Sequence, residues 1–172
     1  MTTISLPSFA LVVLMGTSSS GKSTFARKHF RSTEILSSDC CRALVSDDEN
    51  DQTVSDAAFD LLHFMLAKRL SLKKLCVIDA TNLERQWREP FTQLAKKYHA
   101  PLIAIVFDVP EKVAIARNHA RTDRNGMPDS VISEQRFQFL MSMLTVSEEG
   151  FDPIIILDVE EIAEAVIEVI KI

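Results

Sequence analysis

The sequence predicts an α/β fold, in which a parallel sheet carries helices on both faces. Short runs of apolar residues that fit buried strands alternate along the chain with stretches of helical spacing. Runs that are apolar throughout are typical of strands covered on both faces. No repeat, low-complexity segment or long linker interrupts this pattern, which predicts one domain over residues 1–172. The predicted strands lie at 9–15, 34–37, 75–79, 102–108 and 154–158.

The predicted helices fill the intervals between these strands. Residues 25–30 follow the first strand and a short loop. The helix at 53–70 begins with Thr53 and Asp56, at nearly the spacing of a capping box. A third helix is predicted at 83–98, although Pro90 would disturb its first half unless the helix begins there.

The C-terminal third holds two features of another kind. Residues 121–128 are a polar break within a helical region that resumes at 131–144, between the fourth and fifth strands. Many phosphoryl-transfer enzymes have a closing lid in that place. The last helix is expected to begin at Asp158, with Ile162, Val166 and Ile170 on one side.

Composition bounds the class of protein. The chain has 47% apolar and 25% charged residues, which is ordinary for a globular domain, and no apolar run long enough to span a membrane. Its three cysteines show no CxxC spacing, so we expect reduced thiols and a cytoplasmic location. The net charge of −5 argues against broad electrostatic binding to a nucleic-acid backbone, but not against a small basic pocket for a chain end.

One loop is far more specific than the rest of the chain. The chain has four glycines, and two of them, Gly16 and Gly21, bracket a loop that follows the first strand and precedes the first helix. This is the phosphate-binding pattern GxxxxGK[ST] in the strand–loop–helix context that it requires. The residues of the pattern are Gly16, Thr17, Ser18, Ser19, Ser20, Gly21, Lys22, Ser23 and Thr24.

The loop predicts a site for a nucleoside triphosphate with Mg²⁺. Its backbone N–H groups and the helix N-terminus converge on phosphate oxygens. Lys22 would contact the β- and γ-phosphates, and the Ser23 hydroxyl would bind the metal ion. Ser19 is unusual, because loops of this kind often have an additional glycine at that position and a non-glycine residue with positive φ is strained.

Asp39 and Arg42 follow the second strand. Ligands bind beyond the carboxyl ends of the strands in such sheets, so Asp39 would face the γ-phosphate region and accept the proton of an attacking hydroxyl. Arg42 would share a helical face with Asp39 and could bind a substrate phosphate. The alternative is that Asp39 only caps a short helix and that Arg42 is its partner on the surface.

Asp79 ends the third strand beside the phosphate loop, where a carboxylate suits a magnesium ion bound through water. A capping role in a turn is the alternative. In the lid region, Arg117 and Arg121 are four residues apart, and Arg124 lies just beyond. Such cations could close over the triphosphate, although a solvated helix face explains the spacing equally well.

Together these motifs resemble the kinase module of bacterial polynucleotide kinase-phosphatase-ligase RNA repair proteins, a family of P-loop phosphotransferases. The resemblance extends over nearly the whole chain. It includes the acidic segment 46–52, which we otherwise expect to be a solvated connection. The matching stretches are Gly16–Ala26, Ser37–Arg42, Ser46–Thr53, Asp79–Asn82 and Arg117–Arg124.

The resemblance implies a P-loop NTPase fold with strand order 2-3-1-4-5 and a helical lid at about residues 113–145. It implies ATP as donor, Asp39 as general base for a 5′-hydroxyl and Arg42 on the neighbouring phosphate. Arg117, Arg121 and Arg124 would contact the triphosphate, and substrate contacts would extend to Val131. The chain ends where the family's phosphatase module would begin, so a phosphatase and a ligase are expected in the same native polypeptide.

The sequence therefore predicts an ATP-dependent polynucleotide 5′-hydroxyl kinase that acts on RNA or DNA ends in repair. A small-molecule kinase for a sugar acid or a nucleoside would use the same loop and Asp39, but would have no need of Arg42. A nucleotide-dependent switch that hydrolyses ATP slowly is a third possibility.

Overall fold

A computed structural model describes residues 2–122 and 126–171. Its main sheet has five parallel strands, labelled β2 to β6, because a strand outside this sheet comes first in the chain and is β1. They are β2 (Leu11–Met15), β3 (Ile35–Ser37), β4 (Cys76–Asp79), β5 (Leu102–Phe107) and β6 (Ile154–Leu157). The strand order is β3-β4-β2-β5-β6, which is the predicted order 2-3-1-4-5. The predicted fold class is confirmed.

The helices connect these strands across both faces of the sheet. They are α1 (Lys22–His29), α2 (Ser38–Ser46), α3 (Ser55–Ser71), α4 (Arg85–Tyr98), α5 (Glu111–His119), α6 (Asp129–Met143) and α7 (Val159–Glu164). Two short 3-10 helices, Gln52–Val54 and Val146–Glu148, precede α3 and β6 respectively. The predicted lid region between β5 and β6 contains α5 and α6.

The central strand β2 shows why the sheet needs cover on both sides. All five of its residues are buried. Leu11, Val13 and Met15 face a core that α3 and α4 close, whereas Val12 and Leu14 face a second core that α1 and α5 close. Successive side chains of a strand point to opposite faces, so an unbroken apolar strand forms part of both cores.

A second sheet lies beside the main one and was not predicted. It pairs β1 (Thr3–Pro7) with β7 (Val166–Ile170) in parallel, and Ile4 and Leu6 of β1 are buried. The prediction that the last helix continues through Val166 and Ile170 is therefore wrong. The helix α7 ends at Glu164, and the β-branched residues that follow form a strand.

Two helix starts also differ from the sequence prediction. The expected capping box does not form, because Thr53 lies in the 3-10 helix and donates its backbone N–H to Asp51 at 2.9 Å. The helix α4 begins at Arg85 and contains Pro90 in its interior, so Pro90 neither opens nor ends it. Within the described residues, no helix is long and apolar enough to span a membrane.

Candidate active site

A cavity of about 1170 Å³ opens at the carboxyl edge of the main sheet. Its lining comes from the segments that follow all five strands, as expected for a ligand site in a sheet of this type. Residues after β3 and β4 line one half, which we call the β3–β4 half. Residues after β5 and β6 line the other, which we call the β5–β6 half. The phosphate loop after β2 lies between them.

The two loop glycines occupy positions that exclude a side chain. A Cβ atom at Gly16 would lie 2.9 Å from Cβ of Phe107 on β5, which is closer than carbon atoms pack. Gly21 is the N-cap of α1 and has φ of +103°, a conformation that only glycine adopts easily. The sequence pattern therefore matches a loop that needs glycine at both ends.

Ser19 lies between them in the left-handed conformation, with φ of +61°. A non-glycine residue in this region costs about 1–2 kcal/mol. Its buried hydroxyl has no hydrogen-bond partner among the described residues, and the same is true of the Thr17 hydroxyl. The loop therefore stores backbone strain and leaves two polar atoms that a ligand could satisfy.

Lys22 is 6% exposed, and its ammonium lies within the loop. Its Nζ donates to the carbonyl oxygens of Gly16 at 2.9 Å and Thr17 at 2.6 Å, and to the Ser20 hydroxyl at 3.2 Å. All three acceptors are uncharged oxygen atoms of the loop itself. The positive charge needed for phosphates is therefore held at the centre of the loop.

Ser23 and Asp79 provide the oxygen donors that Mg²⁺ prefers. The Ser23 hydroxyl lies near the Asp79 carboxylate at the end of β4, and both residues line the cavity. Burial raises the pKa of Asp79, and the Ser23 hydroxyl and the nearby Lys22 charge only partly oppose it. A buried carboxylate whose charge is poorly compensated is the electrostatic setting that a divalent cation would stabilise. The residues present therefore fit the metal.

The raised pKa of Asp79 predicts a stability cost. Above the ordinary value of 3.8, the folded protein holds this proton more tightly than the unfolded chain does. The free energy of unfolding therefore falls as pH rises from that value through the raised pKa. We expect Asp79→Asn to raise the thermal midpoint of the nucleotide-free protein by a few degrees at neutral pH and to flatten this pH dependence.

Thermal unfolding of the nucleotide-free protein at several pH values measures this effect. The matched control is Asp152→Asn, which removes a carboxylate from an exposed residue and should leave the midpoint unchanged. A midpoint that drops on Asp79→Asn would show that the carboxylate stabilises the fold.

Asp39 and Arg42 lie on α2, directly after β3. The helix is capped by Ser37, whose side chain accepts the backbone N–H of Cys40 at 3.4 Å, so Asp39 is not the cap. Asp39 lies in the first turn and pairs with Arg42, as the spacing predicts. Arg42 is 7% exposed and is therefore no surface residue.

The acidic segment 46–52 contacts this ion pair through its backbone. Nε of Arg42 donates to the Glu49 carbonyl at 3.0 Å, and Glu49 and Asn50 line the cavity with Asp39 and Arg42. The pairing of β3 with β4 places Ser37 opposite Asp79, and Asp39 and Asp79 line the same cavity. The predicted acid–base and metal residues are therefore brought together.

The lid arginines differ in how closely they approach the loop. Nη1 of Arg117 on α5 donates to the Ser20 carbonyl at 3.0 Å, so this cation lies against the phosphate loop. Arg121 lies just beyond α5 and lines the same cavity. Arg124 lies outside the described residues. Val131 is an exposed residue of α6 and does not line the cavity, so the structure does not bring it to the other predicted residues.

Three further residues shape the site and had not been singled out for it. Gln135 on α6 accepts the backbone N–H of Ser18 at 2.7 Å, which joins the lid to the phosphate loop. The Asn118 side chain exchanges two hydrogen bonds with the Met127 backbone, at 2.7 and 3.0 Å. Asn82 has φ of +51° and donates to the Leu14 carbonyl at 2.6 Å. Asn82 and Asn118 lie in the marked stretches Asp79–Asn82 and Arg117–Arg124, whereas Gln135 lies in neither.

A parallel sheet of this order with helices on both faces, a glycine-bracketed phosphate loop and a central lysine is the P-loop kinase fold. The chain belongs to the AAA domain family, whose model matches residues 11–143. Membership of this family implies nucleotide binding. No curated protein matches the sequence.

Solved structures support the same fold. A chain of the Pnkp1/Rnl/Hen1 RNA repair complex matches with a TM-score of 0.69 and 24% identity over 80% of this chain and 46% of that one. The present chain thus spans a little under half the length of that relative. A chain of the PezAT toxin–antitoxin system of Streptococcus pneumoniae matches with a TM-score of 0.66 and 16% identity, over 90% and 69%.

A third similar structure contains a nucleotide analogue. It is Kti12 of Chaetomium thermophilum in complex with ADP-AlF3, with a TM-score of 0.58 and 18% identity over 88% of this chain and 90% of that one. At these identities the likeness concerns the fold alone.

Proposed function

We propose that the protein is an ATP-dependent polynucleotide 5′-hydroxyl kinase, organised as one domain over residues 1–172. The observation that carries the proposal is the ion pair of Asp39 with the buried Arg42, which lines the same cavity as the phosphate loop. Asp39 supplies a base for a hydroxyl, and Arg42 places a cation beside it for a phosphate of the same acceptor. The similarity to a chain of an RNA repair complex supports this choice.

The reaction moves the γ-phosphoryl group of ATP to the 5′-oxygen. The new bond joins that oxygen to phosphorus, the bond from phosphorus to the leaving oxygen of ADP breaks, and the hydroxyl proton passes to the Asp39 carboxylate. Lys22 holds the β- and γ-phosphates, and Arg117 and Arg121 neutralise charge that develops between donor and acceptor. Ser23 and Asp79 would hold Mg²⁺, which supplies further charge neutralisation at the phosphates when bound.

The proposed acceptor is an RNA or DNA end gripped at only one or two phosphates. In the described part of the β3–β4 half, Arg42 is the cation beside Asp39, whereas Glu49 and Asp56 are acidic. The overall charge of −5 adds no attraction for a long polyanion. The proposed setting is cytoplasmic end repair, with phosphatase and ligase modules in the same native polypeptide.

This grip predicts a shallow salt dependence of oligonucleotide binding. Each phosphate contacted on a single strand contributes about −0.7 to the slope of log affinity against log salt. We expect a slope near about −1, measured by titrating a fluorescent 5′-hydroxyl oligonucleotide at several salt concentrations. A slope steeper than about −4 would mean that the strand contacts an extended basic surface, and the proposed mode of binding would fail.

The two acidic residues Glu49 and Asp56 in the β3–β4 half favour a second candidate, a kinase for a small uncharged acceptor such as a nucleoside. Glu49 and Asp56 would repel an acceptor phosphate but not a neutral sugar hydroxyl. In a polynucleotide kinase Arg42 binds the phosphate next to the accepting hydroxyl, whereas a small uncharged acceptor has no such phosphate for Arg42 to bind. A competition between a nucleoside 3′-phosphate and the plain nucleoside separates them, because only a polynucleotide kinase should prefer the phosphate and lose that preference in Arg42→Met.

A further inference from the structure

Two aromatic side chains form a stacked pair at the edge of the active-site cavity. Phe59 lies on α3 and Trp87 in the first turn of α4. Their ring centroids are 6.1 Å apart and their planes differ by 26°. Both rings line the cavity, and Trp87 remains 48% exposed. This is a large apolar surface left open inside a binding site, which is where such surfaces are usually functional.

The topology places this pair with the acceptor. The helix α4 follows β4, and α3 packs against α2, which follows β3 and holds Asp39 and Arg42. The rings therefore lie in the β3–β4 half of the cavity. The segments of Arg117 and α7 line the opposite half, on the other side of the phosphate loop.

Packing explains Phe59 but not Trp87. Phe59 is half-buried and packs against the core on its face of the sheet. One turn further along α4, Phe91 is completely buried in that core, whereas Trp87 is no part of it. One side of the indole lies against Phe59, and its exposed surface borders the cavity. The amide side chains of Asn50 and Gln52 line the same half and supply hydrogen-bonding groups.

We propose that Trp87, supported by Phe59, is the platform on which the base of the acceptor's 5′-terminal nucleotide stacks. The inference rests on the proposed function and specifies its substrate, since it requires an acceptor with a base beside the reactive hydroxyl. Stacking tolerates any base because every base has a π-face. The protein should therefore accept strands with any of the four bases at the 5′-terminal nucleotide, with similar KM values.

The first test compares Trp87→Leu with the conservative Trp87→Phe in transfer from ATP to a 5′-hydroxyl oligonucleotide. Loss of base–aromatic stacking should raise the acceptor KM about 5- to 150-fold in Trp87→Leu. The KM for ATP and kcat should stay within about twofold, and Trp87→Phe should restore most of the acceptor affinity. The matched control is Phe64→Leu, which changes an exposed aromatic of α3 that does not line the cavity.

A second acceptor separates stacking from a structural role of Trp87. With a strand whose 5′-terminal nucleotide lacks its base, the wild-type KM should rise to that of Trp87→Leu, and the variant should be indifferent to the missing base. If Trp87→Leu raises the KM of the normal strand and of the base-free strand by the same factor, the residue only shapes the site and the proposal is overturned. If the wild type transfers nothing to any 5′-hydroxyl, the proposed function fails first, which is a distinct result.

A binding readout needs no turnover. Trp87 is the single tryptophan of the chain, so its fluorescence reports on this position alone. Adding a nucleoside 3′-phosphate should quench the emission saturably, whereas the base-free sugar phosphate should not. Equal quenching by both probes, or by neither, would contradict stacking on the indole.

Discussion

Replacing Asp39 by asparagine should lower the rate of phosphoryl transfer about 10²- to 10⁴-fold, the range typical of a removed general base. The amide keeps the shape of the carboxylate and still accepts a hydrogen bond from Arg42, but it cannot take the hydroxyl proton. Nucleotide binding should stay within about threefold of wild type, because the phosphate loop is untouched. Single-turnover transfer and a nucleotide titration measure the two quantities.

The matched control is Asp60→Asn, which removes a carboxylate from an exposed position on α3 and should leave transfer unchanged. A slow ATPase switch gives the opposite pattern, since hydrolysis by water would persist in Asp39→Asn. If transfer survives the substitution within about fivefold, Asp39 is not the base. ATP hydrolysis that persists in Asp39→Asn while the wild type transfers nothing to a hydroxyl would instead favour the slow ATPase switch.

Breaking the ion pair between Arg88 and Glu149 should cost about 3–5 kcal/mol of the free energy of unfolding, the largest expected effect on stability. Arg88 is completely buried, and its guanidinium bonds Glu149 at 2.5 and 2.7 Å. It also donates to the Asn82 carbonyl at 2.8 Å, beside the active site. Removing either side chain leaves an uncompensated charge in the interior. Urea unfolding of Arg88→Met and Glu149→Gln measures the loss.

The double variant Arg88→Met with Glu149→Met tests the cause. Replacing both charges by apolar side chains of similar size should recover most of the lost stability, because no charge is then left buried alone. Asp129→Asn is the matched control for an exposed pair: it removes the carboxylate charge beside His119 and should cost less than about 1 kcal/mol. Single variants within about 1 kcal/mol of wild type would contradict the assignment.

The sheet could be predicted from the sequence because its signals are local. A run such as Leu11–Met15 is apolar throughout, and that alone marks a strand covered on both faces. The small second sheet could not be predicted, since β1 and β7 are stable through pairing with each other across almost the whole chain. The residues Val166–Ile170 continue the helical spacing of Ile162, but four of the five are β-branched, and only the partner strand decides between helix and strand.

The candidate site likewise contains residues marked by local sequence patterns and residues that only the fold brings together. The glycines, Lys22 and Ser23 could be assigned to the cavity because the phosphate loop is contiguous. Asp39 and Asp79 could be assigned to it because they lie at or just after the carboxyl end of a strand. Gln135 could not, because its bond to the Ser18 amide joins residues 117 positions apart. The stacking of Phe59 on Trp87 could not be predicted for the same reason, since the two rings come from different helices.

Transfer of the labelled γ-phosphoryl group from ATP to a 5′-hydroxyl oligonucleotide is the direct test of the proposed kinase activity. Wild-type protein with Mg²⁺ should place the label on the 5′ end of the strand. A strand already phosphorylated at that end should gain none, and a nucleoside lacking the neighbouring phosphate should be a poor acceptor. A wild-type protein that binds ATP but leaves the strand unlabelled, or that labels the plain nucleoside as readily, would contradict it.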